Sequence, residues 1–367
     1  MRWLSSWRGS SFLACRKDVV HMKILVIGIG SIGSRHLHNA ARNPNVTKIG
    51  VYDLNKKRAE LEVQGLRGFA FSNLDDALDW RPDGTIIATT HDTHLEYAER
   101  ALDKCACVLV EKPICLDPIA GSEFLKLRAQ EVNERRLLVV SNMRFHPGVS
   151  TLRNHLNDIG EPLMARAWFG SYLPHMRPGT DYTQHYAANA PFGQGLLLDC
   201  IHEFDYLAHL LGPVKSVTAT TGQSGTLKVV SEDYASIRLT LGQGIIASIQ
   251  LNYLQDPKQR GCEIIGTRGT LIWTSVGKQP EQIKVRLFRP QQSQTVQLLE
   301  PGSQTIDASN KSLELLMEAF INELRGQTTN IASATEGLEA IEAVAACYRS
   351  AETDFINSSG DYGDSQK

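Results

Sequence analysis

The first part of the chain alternates short apolar runs with segments of helical periodicity. The apolar runs are KILVIG, KIGVYD, GTIIATT, CACVLVEK and RLLVVSNMRF. Helical patterns separate them, at residues 31–42, in NKKRAELEVQG, in NLDDALDW, at residues 92–103 and in DPIAGSEFLKLRAQEV. In NLDDALDW the asparagine occupies the N-cap position. Strand and helix in alternation predict a parallel, doubly wound α/β sheet with helices on both faces.

The pattern changes after Pro147. A helical stretch at residues 149–156 leads into a region rich in Gly, Pro and aromatic residues, 168–195. The stretches VKSVTATTG, YASIRLTL, GIIASIQLNY, GCEIIGTRGTLIW and QIKVRLF then alternate apolar and polar residues between Gly-containing turns. This period of two predicts a large, mostly antiparallel, open-faced sheet in a C-terminal α+β domain. Helices at residues 312–324 and 335–353 close the chain.

These patterns predict four segments. Residues 1–21 form an expected disordered extension, because MKILVIG from Met22 is itself a natural protein start; a transit peptide is the alternative, since this stretch carries Arg and Ser. Residues 22–145 form the doubly wound domain, and residues 146–355 the α+β domain for substrate binding and oligomerisation. Residues 356–367 form a frayed tail.

Composition excludes several classes of protein. The 367 residues are 42% hydrophobic and 21% charged, which suits packed domains. Thirty-eight basic residues against 40 acidic ones give a net charge of −2, so we expect no nucleic-acid partner. No apolar stretch approaches the roughly 20 residues of a membrane helix. Seven cysteines without a C-x-x-C pair predict free thiols in a cytoplasmic protein, and no histidine spacing indicates a metal site.

A dinucleotide fingerprint follows the first strand. Gly28, Gly30 and Gly33 form G-x-G-x-x-G between that strand and the first helix, and Asp53 ends the next strand. In this pattern the glycines allow the tight turn, the approach of the pyrophosphate and close helix packing. The helix N-terminus supplies N–H donors for the phosphates. We therefore predict an N-terminal Rossmann domain.

Asp53 bears on the choice of cofactor. A carboxylate at this position accepts hydrogen bonds from the adenosine ribose and repels a 2′-phosphate, which favours NAD. Lys56, Lys57 and Arg58 follow closely and could offset that repulsion, so NADP stays possible. The alternative for these three residues is a solvated helix face.

Lys112 lies at the carboxyl end of a predicted buried strand, between Glu111 and Pro113. Ligands of doubly wound sheets bind at this edge, where Thr89 and Thr90 also lie. A lysine beside the nicotinamide can hold a substrate hydroxyl and stabilise a developing alkoxide. The alternative is a structural pair between Lys112 and Glu111 that ends the strand.

A second candidate group lies in GQGLLLDCIHEFDYLAHLLG. Asp199 and His202 are three residues apart in a helical pattern, so we expect both on one face. A histidine can take a hydroxyl proton while hydride leaves the same carbon, and the aspartate can orient it or bind a sugar hydroxyl. A core histidine with a carboxylate partner is the alternative.

The chain from Met22 to about Thr353 resembles the family of glucose-fructose oxidoreductase, inositol dehydrogenase and MocA-type proteins (Gfo/Idh/MocA). The matching stretches are GIGSIGSRH, ATTHDTHLEYAERALDKCACVLVEKP, NMRFHP, LLLDCIHEFDYL, GTRGTLIW and TEGLEAIEA. The resemblance implies NAD(P)-dependent hydride transfer at a hydroxyl-bearing carbon of a sugar, polyol or nucleotide-sugar. It also implies a homodimer or homotetramer, and it assigns catalytic roles to Lys112, Asp199 and His202.

The expected site comprises two sets of residues. The cofactor set is Gly28, Gly30, Ser31, Ile32, Gly33, Asp53, Arg58, Thr89, Thr90, His94, Glu111 and Lys112. The substrate set is Arg144, Arg177, Tyr182, Asp199 and His202. Asp181, Tyr186 and Asn142 belong to the same regions, where anchoring of the domain interface is the alternative role.

Two departures from the family pattern affect the second candidate group. Gln194 interrupts the usual three glycines, between Gly193 and Gly195, and Asp199 and His202 are three apart rather than four. The main hypothesis is a dehydrogenase. A regulator that senses NAD(P) without turnover, and a glycosidase that uses NAD in a redox-assisted cleavage, are the alternatives.

Overall fold

The computed structural model describes residues 21–128, 136–184, 186–189, 195–277, 281–290, 294–299 and 308–353. The expected extension up to residue 20 and the expected tail lie outside the described residues, as do Gly193 and Gln194. The side chain of Tyr186 is also outside them.

The first sheet is parallel and doubly wound, as predicted. Its strands are β1 (Met22–Ile27), β2 (Val46–Tyr52), β3 (Gly68–Ala70), β4 (Gly84–Ile87), β5 (Cys107–Val110) and β6 (Leu137–Val139). Their spatial order is β3-β2-β1-β4-β5-β6, the order of dinucleotide-binding sheets. The helices between them are α1 (Ser31–Arg42), α2 (Lys56–Glu62), α3 (Leu74–Asp79), α4 (His94–Leu102) and α5 (Pro118–Arg128).

Strand β1 shows why the strands of this sheet are continuous apolar runs in the sequence. Ile24 and Val26 belong to the core on one face, which includes residues of α1. Leu25 and Ile27 belong to the core on the other face, which includes residues of α3 and α4. Both faces of the strand are therefore covered. The predicted cap of α3 is confirmed, because the Asn73 side chain accepts the Asp76 N–H at 2.8 Å.

The second sheet has eight strands in the order β14-β13-β12-β11-β7-β10-β9-β8. They are β7 (Pro162–Gly170), β8 (Val214–Gly222), β9 (Tyr234–Leu241), β10 (Ile245–Asn252), β11 (Gln259–Gly266), β12 (Thr270–Val276), β13 (Gln282–Arg289) and β14 (Gln294–Leu299). All pairs are antiparallel except β7 with β10. In β9, Ala235, Ile237 and Leu239 are buried while Ser236 and Arg238 are exposed, so the sheet has one open face.

The remaining helices are α6 (Pro147–Asn154), α7 (Tyr186–Asn189), α8 (Leu196–Asp199), α9 (His202–Leu211), α10 (Ala308–Leu324) and α11 (Ala334–Thr353). Late in the chain, α10 returns to the first sheet: its Leu316 and Phe320 share a core with Ile24. Strand β15 (Ala332–Ser333) then pairs antiparallel with β6. Helix α11 lies against β8, so the last part of the chain contacts both sheets.

Candidate active site

A cavity of about 930 Å³ opens at the carboxyl ends of the first sheet. That volume lies within the range of about 300–1,000 Å³ usual for small-molecule and cofactor sites. The described residues that line it on the sheet side include Gly28, Gly30, Ser31, Ile32, Tyr52, Asp53, Leu54, Arg58, Thr89, Thr90, His91, Glu111 and Lys112. From the later part of the chain it is lined by Arg177, Asn189, His202 and Leu313.

The glycine loop has the shape that a bound pyrophosphate needs. Gly28 has φ +88°, and a Cβ there would lie 2.7 Å from the carbonyl oxygen of Ala88. A Cβ on Gly33 would lie 1.9 Å from the carbonyl oxygen of Gly28, so helix α1 can pack this closely only with glycine. A Cβ on Gly30 would meet no atom within 4 Å, which leaves open space toward the cavity where α1 begins. The loop and the helix N-terminus therefore fit a dinucleotide phosphate group.

Asp53 is buried just after β2 and is held by three neighbours. Its Oδ2 accepts the Ile29 N–H at 2.7 Å and its Oδ1 accepts the Asn55 N–H at 2.7 Å. Arg58 Nη2 donates to both oxygens at 2.8 Å. Burial alone would raise the pKa of Asp53, but these hydrogen bonds and the Arg58 charge lower it. The carboxylate is therefore ionised at neutral pH.

Lys112 joins the first sheet to the second domain. It follows β5, and its Nζ donates to the Asp199 carbonyl oxygen at 3.1 Å and lies 3.5 Å from Asp199 Oδ1. The Tyr253 hydroxyl donates to the other carboxylate oxygen, Oδ2, at 3.1 Å. The Lys112 side chain is 21% exposed and the Asp199 side chain 17%, so both polar groups remain accessible beside the cavity.

Glu111 connects Lys112 to the dinucleotide helix. Its Oε1 accepts from His36 Nε2 at 2.7 Å, and its Oε2 accepts the Lys112 N–H at 3.1 Å. Burial would raise the pKa of Glu111, but the His36 hydrogen bond and the nearby charges of His36 and Lys112 lower it. Glu111 therefore lines the cavity as an anion whose two oxygens already accept hydrogen bonds from α1 and from the residue after it, Lys112.

His202 lines the cavity as the first residue of α9. Burial, and then the positive charges of Lys112 and Arg260, hold the pKa of His202 well below its usual value. The ring is therefore neutral at pH 7 and can accept a proton. Arg260 itself is paired with Glu203, at 2.6 Å from Nε to Oε1 and 2.9 Å from Nη2 to Oε2.

The prediction that one helix carries both Asp199 and His202 is wrong. Asp199 ends α8 and His202 begins α9, with a turn at Cys200 and Ile201 between them. In that turn the Glu203 N–H bonds back to Cys200 at 3.2 Å, a three-residue step that tightens the chain and breaks the α-helical phase. His202 nevertheless lines the cavity, and Asp199 lies beside it through its contact with Lys112.

Five predicted site residues are outside the cavity lining: Gly33, His94, Arg144, Tyr182 and Asp199, of which Asp199 contacts the lining residue Lys112. Arg144 is 5% exposed, and its guanidinium is bonded to Asp205 at 2.6 Å and to Glu336 at 2.9 Å. His94 is fully buried, and its Nδ1 donates to the Pro113 carbonyl oxygen at 2.7 Å. Tyr182 accepts the Lys228 N–H at 3.1 Å.

These contacts correct the prediction for Arg144 and His94. The Arg144 charge is already matched by two carboxylates, so the side chain holds α9 and α11 rather than a substrate. The His94 ring is hydrogen-bonded to the backbone at Pro113, outside the cavity lining. Gly33 likewise acts beneath the loop, by letting α1 approach it.

His91 was missed by the sequence reasoning, although it lines the cavity. Burial, followed by the charges of His94 and Lys112, lowers the pKa of His91 to about 4. The stretch ATTHDTH contains both histidines, and position in the chain distinguishes them. His91 lies in the loop after β4, directly after Thr89 and Thr90, whereas His94 already begins α4. Tyr253, the partner of Asp199, carried no such signal.

Comparisons with known proteins cover nearly the whole described chain. A profile of the "Oxidoreductase family, NAD-binding Rossmann fold" matches residues 22–139, and one of the "Oxidoreductase family, C-terminal alpha/beta domain" (GFO_IDH_MocA) matches residues 157–355. Glucose-6-phosphate 3-dehydrogenase of Bacillus subtilis is 28% identical over 66% of this chain and 72% of its own. Inositol 2-dehydrogenase of Klebsiella pneumoniae is 25% identical over 90% and 94%.

Solved structures share the fold. An oxidoreductase from Agrobacterium radiobacter, in complex with NAD+, L-tartaric acid and magnesium, superposes with a TM-score of 0.75 at 22% identity. The match covers 91% of this chain and 97% of that one. None of the described helices is long and apolar enough to cross a membrane. Within the described ranges no cluster of three or more His, Cys, Asp or Glu is placed to hold a metal ion.

Proposed function

The chain belongs to the Gfo/Idh/MocA oxidoreductase family, and on this premise we propose that Lys112, Asp199 and His202 are its catalytic residues. The protein is an NAD(P)-dependent oxidoreductase that transfers hydride to or from a hydroxyl-bearing carbon. The observation that carries the residue assignment is the position of Lys112. Its ammonium is bonded to Asp199 in the wall of the same cavity that His202 lines.

Each side chain has a distinct role in oxidation. When bound, NAD accepts the hydride, that is, the hydrogen and electron pair of the breaking C–H bond. The neutral His202 ring takes the hydroxyl proton, so that the oxygen's electron pair forms the new C=O bond. Lys112 donates a charged hydrogen bond to that oxygen and stabilises its developing negative charge. Asp199 keeps the Lys112 ammonium at this position.

We propose a sugar, polyol or nucleotide-sugar as substrate. Support comes from the relatives named for glucose 6-phosphate and inositol, and from the polar groups Arg177 and Asn189 on the second-domain side of the cavity. The open face of the second sheet supports a homodimer or homotetramer. The buried thiols of Cys105, Cys115, Cys200, Cys262 and Cys347 form no disulfide among the described residues, which supports a cytoplasmic enzyme.

The test combines a substrate panel with a variant pair. Purified protein is mixed with NAD or NADP and with sugars, sugar phosphates, inositols and UDP-sugars, and reduced nicotinamide is followed by absorbance. For the substrate found, we expect Lys112→Ala to bind NAD normally but to lower kcat about a hundredfold to a thousandfold. Lys104→Ala is the control, since Lys104 pairs with Asp79 on the surface.

Other outcomes separate the alternatives. Unchanged turnover in Lys112→Ala would rule out the proposed role of Lys112. Bound NAD with no turnover across the panel would favour the sensing regulator. Release of a free sugar from a glycoside, with no net reduction of NAD, would favour the redox-assisted glycosidase.

A further inference from the structure

Asp53 is the carboxylate at the position that binds the adenosine ribose in this fold, and all of its hydrogen-bond acceptor positions are occupied. An ionised carboxylate offers about four lone-pair sites on its two oxygens. In Asp53 each oxygen accepts one backbone N–H, from Ile29 or Asn55, and one contact from Arg58 Nη2. A ribose with two hydroxyl groups must therefore displace one of these donors before it can bind Asp53.

Arg58 is the donor that can leave. The two N–H groups are fixed by the backbone of the glycine loop and of the turn before α2. The Arg58 side chain is 50% exposed, whereas that of Asp53 is 3% exposed. A half-exposed ion pair is weak, because water competes for both partners and the long side chain loses rotamer freedom. The ribose of NAD and the Arg58 guanidinium thus compete for the same carboxylate.

The same pair changes how the site treats a phosphate. An unpaired Asp53 would repel a 2′-phosphate, but the guanidinium against it cancels the negative charge at that point. Both residues line the cavity and the Arg58 side chain is 50% exposed, so its guanidinium borders the place where the ribose 2′-position would lie. A guanidinium matches phosphate oxygens with two parallel hydrogen bonds.

We propose that Arg58 determines cofactor specificity: by covering Asp53 it weakens the binding of NAD and enables the binding of NADP, so the protein accepts both. This inference rests on the proposed dinucleotide function and goes beyond it by naming the residue that sets the preference. It also replaces the simple expectation from sequence, in which an aspartate at position 53 excludes the phosphorylated cofactor.

Binding measurements test this without turnover. Isothermal titration of the full chain with NAD, NADP, 5′-AMP and adenosine 2′,5′-bisphosphate gives four dissociation constants. For Arg58→Ala we expect NADP and the bisphosphate to bind about tenfold to a hundredfold more weakly. NAD and 5′-AMP should bind equally well or about twofold to fivefold more tightly, because their competitor is gone.

Lys57→Ala is the matched control, because Lys57 is the exposed neighbour on α2 and lies outside the cavity lining. It should leave all four constants within about twofold. If Arg58→Ala leaves the NADP-to-NAD ratio unchanged, or if the wild-type chain binds NAD but not NADP, the inference is overturned while the proposed function stands. If neither dinucleotide binds the wild-type chain, both fail.

Discussion

The imidazole of His202 is buried near two cations, Lys112 and Arg260, and burial and both charges lower its pKa. Burial is the main reason that its pKa is lowered, and Lys112 is the next. We therefore expect Lys112→Met to raise the pKa of His202 toward its ordinary value, because a nearby positive charge disfavours the protonated ring. Lys112→Arg keeps the charge and should keep the pKa low.

NMR titration of protein labelled at the histidine rings measures this effect, and the His202→Asn variant assigns the resonance. Lys104→Met, a surface change, should leave the midpoint of His202 in place. If Lys112→Met also left the midpoint in place, the two groups would be too far apart to act on one substrate oxygen. The measurement thus checks the site without knowledge of the substrate.

At single residues, sequence reasoning succeeded where a motif fixes the backbone and failed where the role depends on neighbours. Gly28, Asp53 and Lys112 are placed at strand ends by the alternation of strand and helix, so their arrival at the cavity could be predicted. Arg144 gave no sign of its two partners, because Asp205 and Glu336 are distant in the chain. Whether a charged side chain has an ion-pair partner depends on the folded structure and cannot be predicted from its sequence neighbours.

At the scale of elements, one buried pair holds the dinucleotide helix α1 against the end of β5. His36 is fully buried and bonds Glu111, which in turn bonds the Lys112 N–H. His36→Leu would leave the Glu111 carboxylate buried with its strongest donor gone. We expect the free energy of unfolding to fall by about 3 kcal/mol, as for other buried pairs that lose one partner.

Urea unfolding followed by fluorescence measures the change. His38→Leu is the matched control on the same helix, because the His38 side chain is 43% exposed, and it should cost no more than about 0.5 kcal/mol. Equal stability of His36→Leu and His38→Leu would show that the pair does not hold α1 in place. His36→Leu should weaken NAD binding only if the substitution displaces α1, whose N-terminus would hold the phosphates.

Two strands that sequence reasoning missed, β7 and β15, lack a readable alternation of apolar and polar residues, for different reasons. Strand β7 lies at the centre of the second sheet, yet its inward residues are the small Ala165 and Ala167, while Arg166 and Trp168 face the open side. The usual contrast between apolar inside and polar outside is therefore weak in its sequence. Strand β15 has two residues, too few to show any period. The strands with clear alternation, such as β8 and β9, were predicted at their observed bounds.

At the scale of the whole molecule, several imidazoles are kept neutral by burial. It lowers the pKa of His91 to about 4 and, with the Arg144 and Arg153 charges, that of His209 to about 3. The pKa values of His94, His146 and His202 are lowered too, again mainly by burial. The unfolded chain has no such burial, so each ring there takes a proton near pH 6.5.

The sign of the resulting pH dependence follows from proton counts. Below pH 6.5 the unfolded state binds more protons than the folded state, so the free energy of unfolding falls as the pH falls. The loss from each ring continues until the pH reaches its folded pKa. Glu281 acts in a lower window: hydrogen bonding and ion pairing outweigh burial and lower its pKa to about 2, so its contribution is lost between about pH 4.5 and 2.

Between pH 6.5 and 5 the buried histidines therefore change the free energy of unfolding, whereas Glu281 does not. One proton costs about 1.4 kcal/mol per pH unit, and the unfolded rings are half protonated at pH 6.5, so His91 and His209 together should contribute no more than about 3 kcal/mol to the loss. His94, His146 and His202 add to the total. Urea unfolding at pH 7.5, 6.5 and 5 measures this loss. In His209→Gln the free energy of unfolding should fall less steeply with decreasing pH, by nearly the slope that one proton contributes, because glutamine does not titrate. Parallel curves for the variant and the wild type would mean that His209 already binds its proton in the folded state, and that burial does not exclude it.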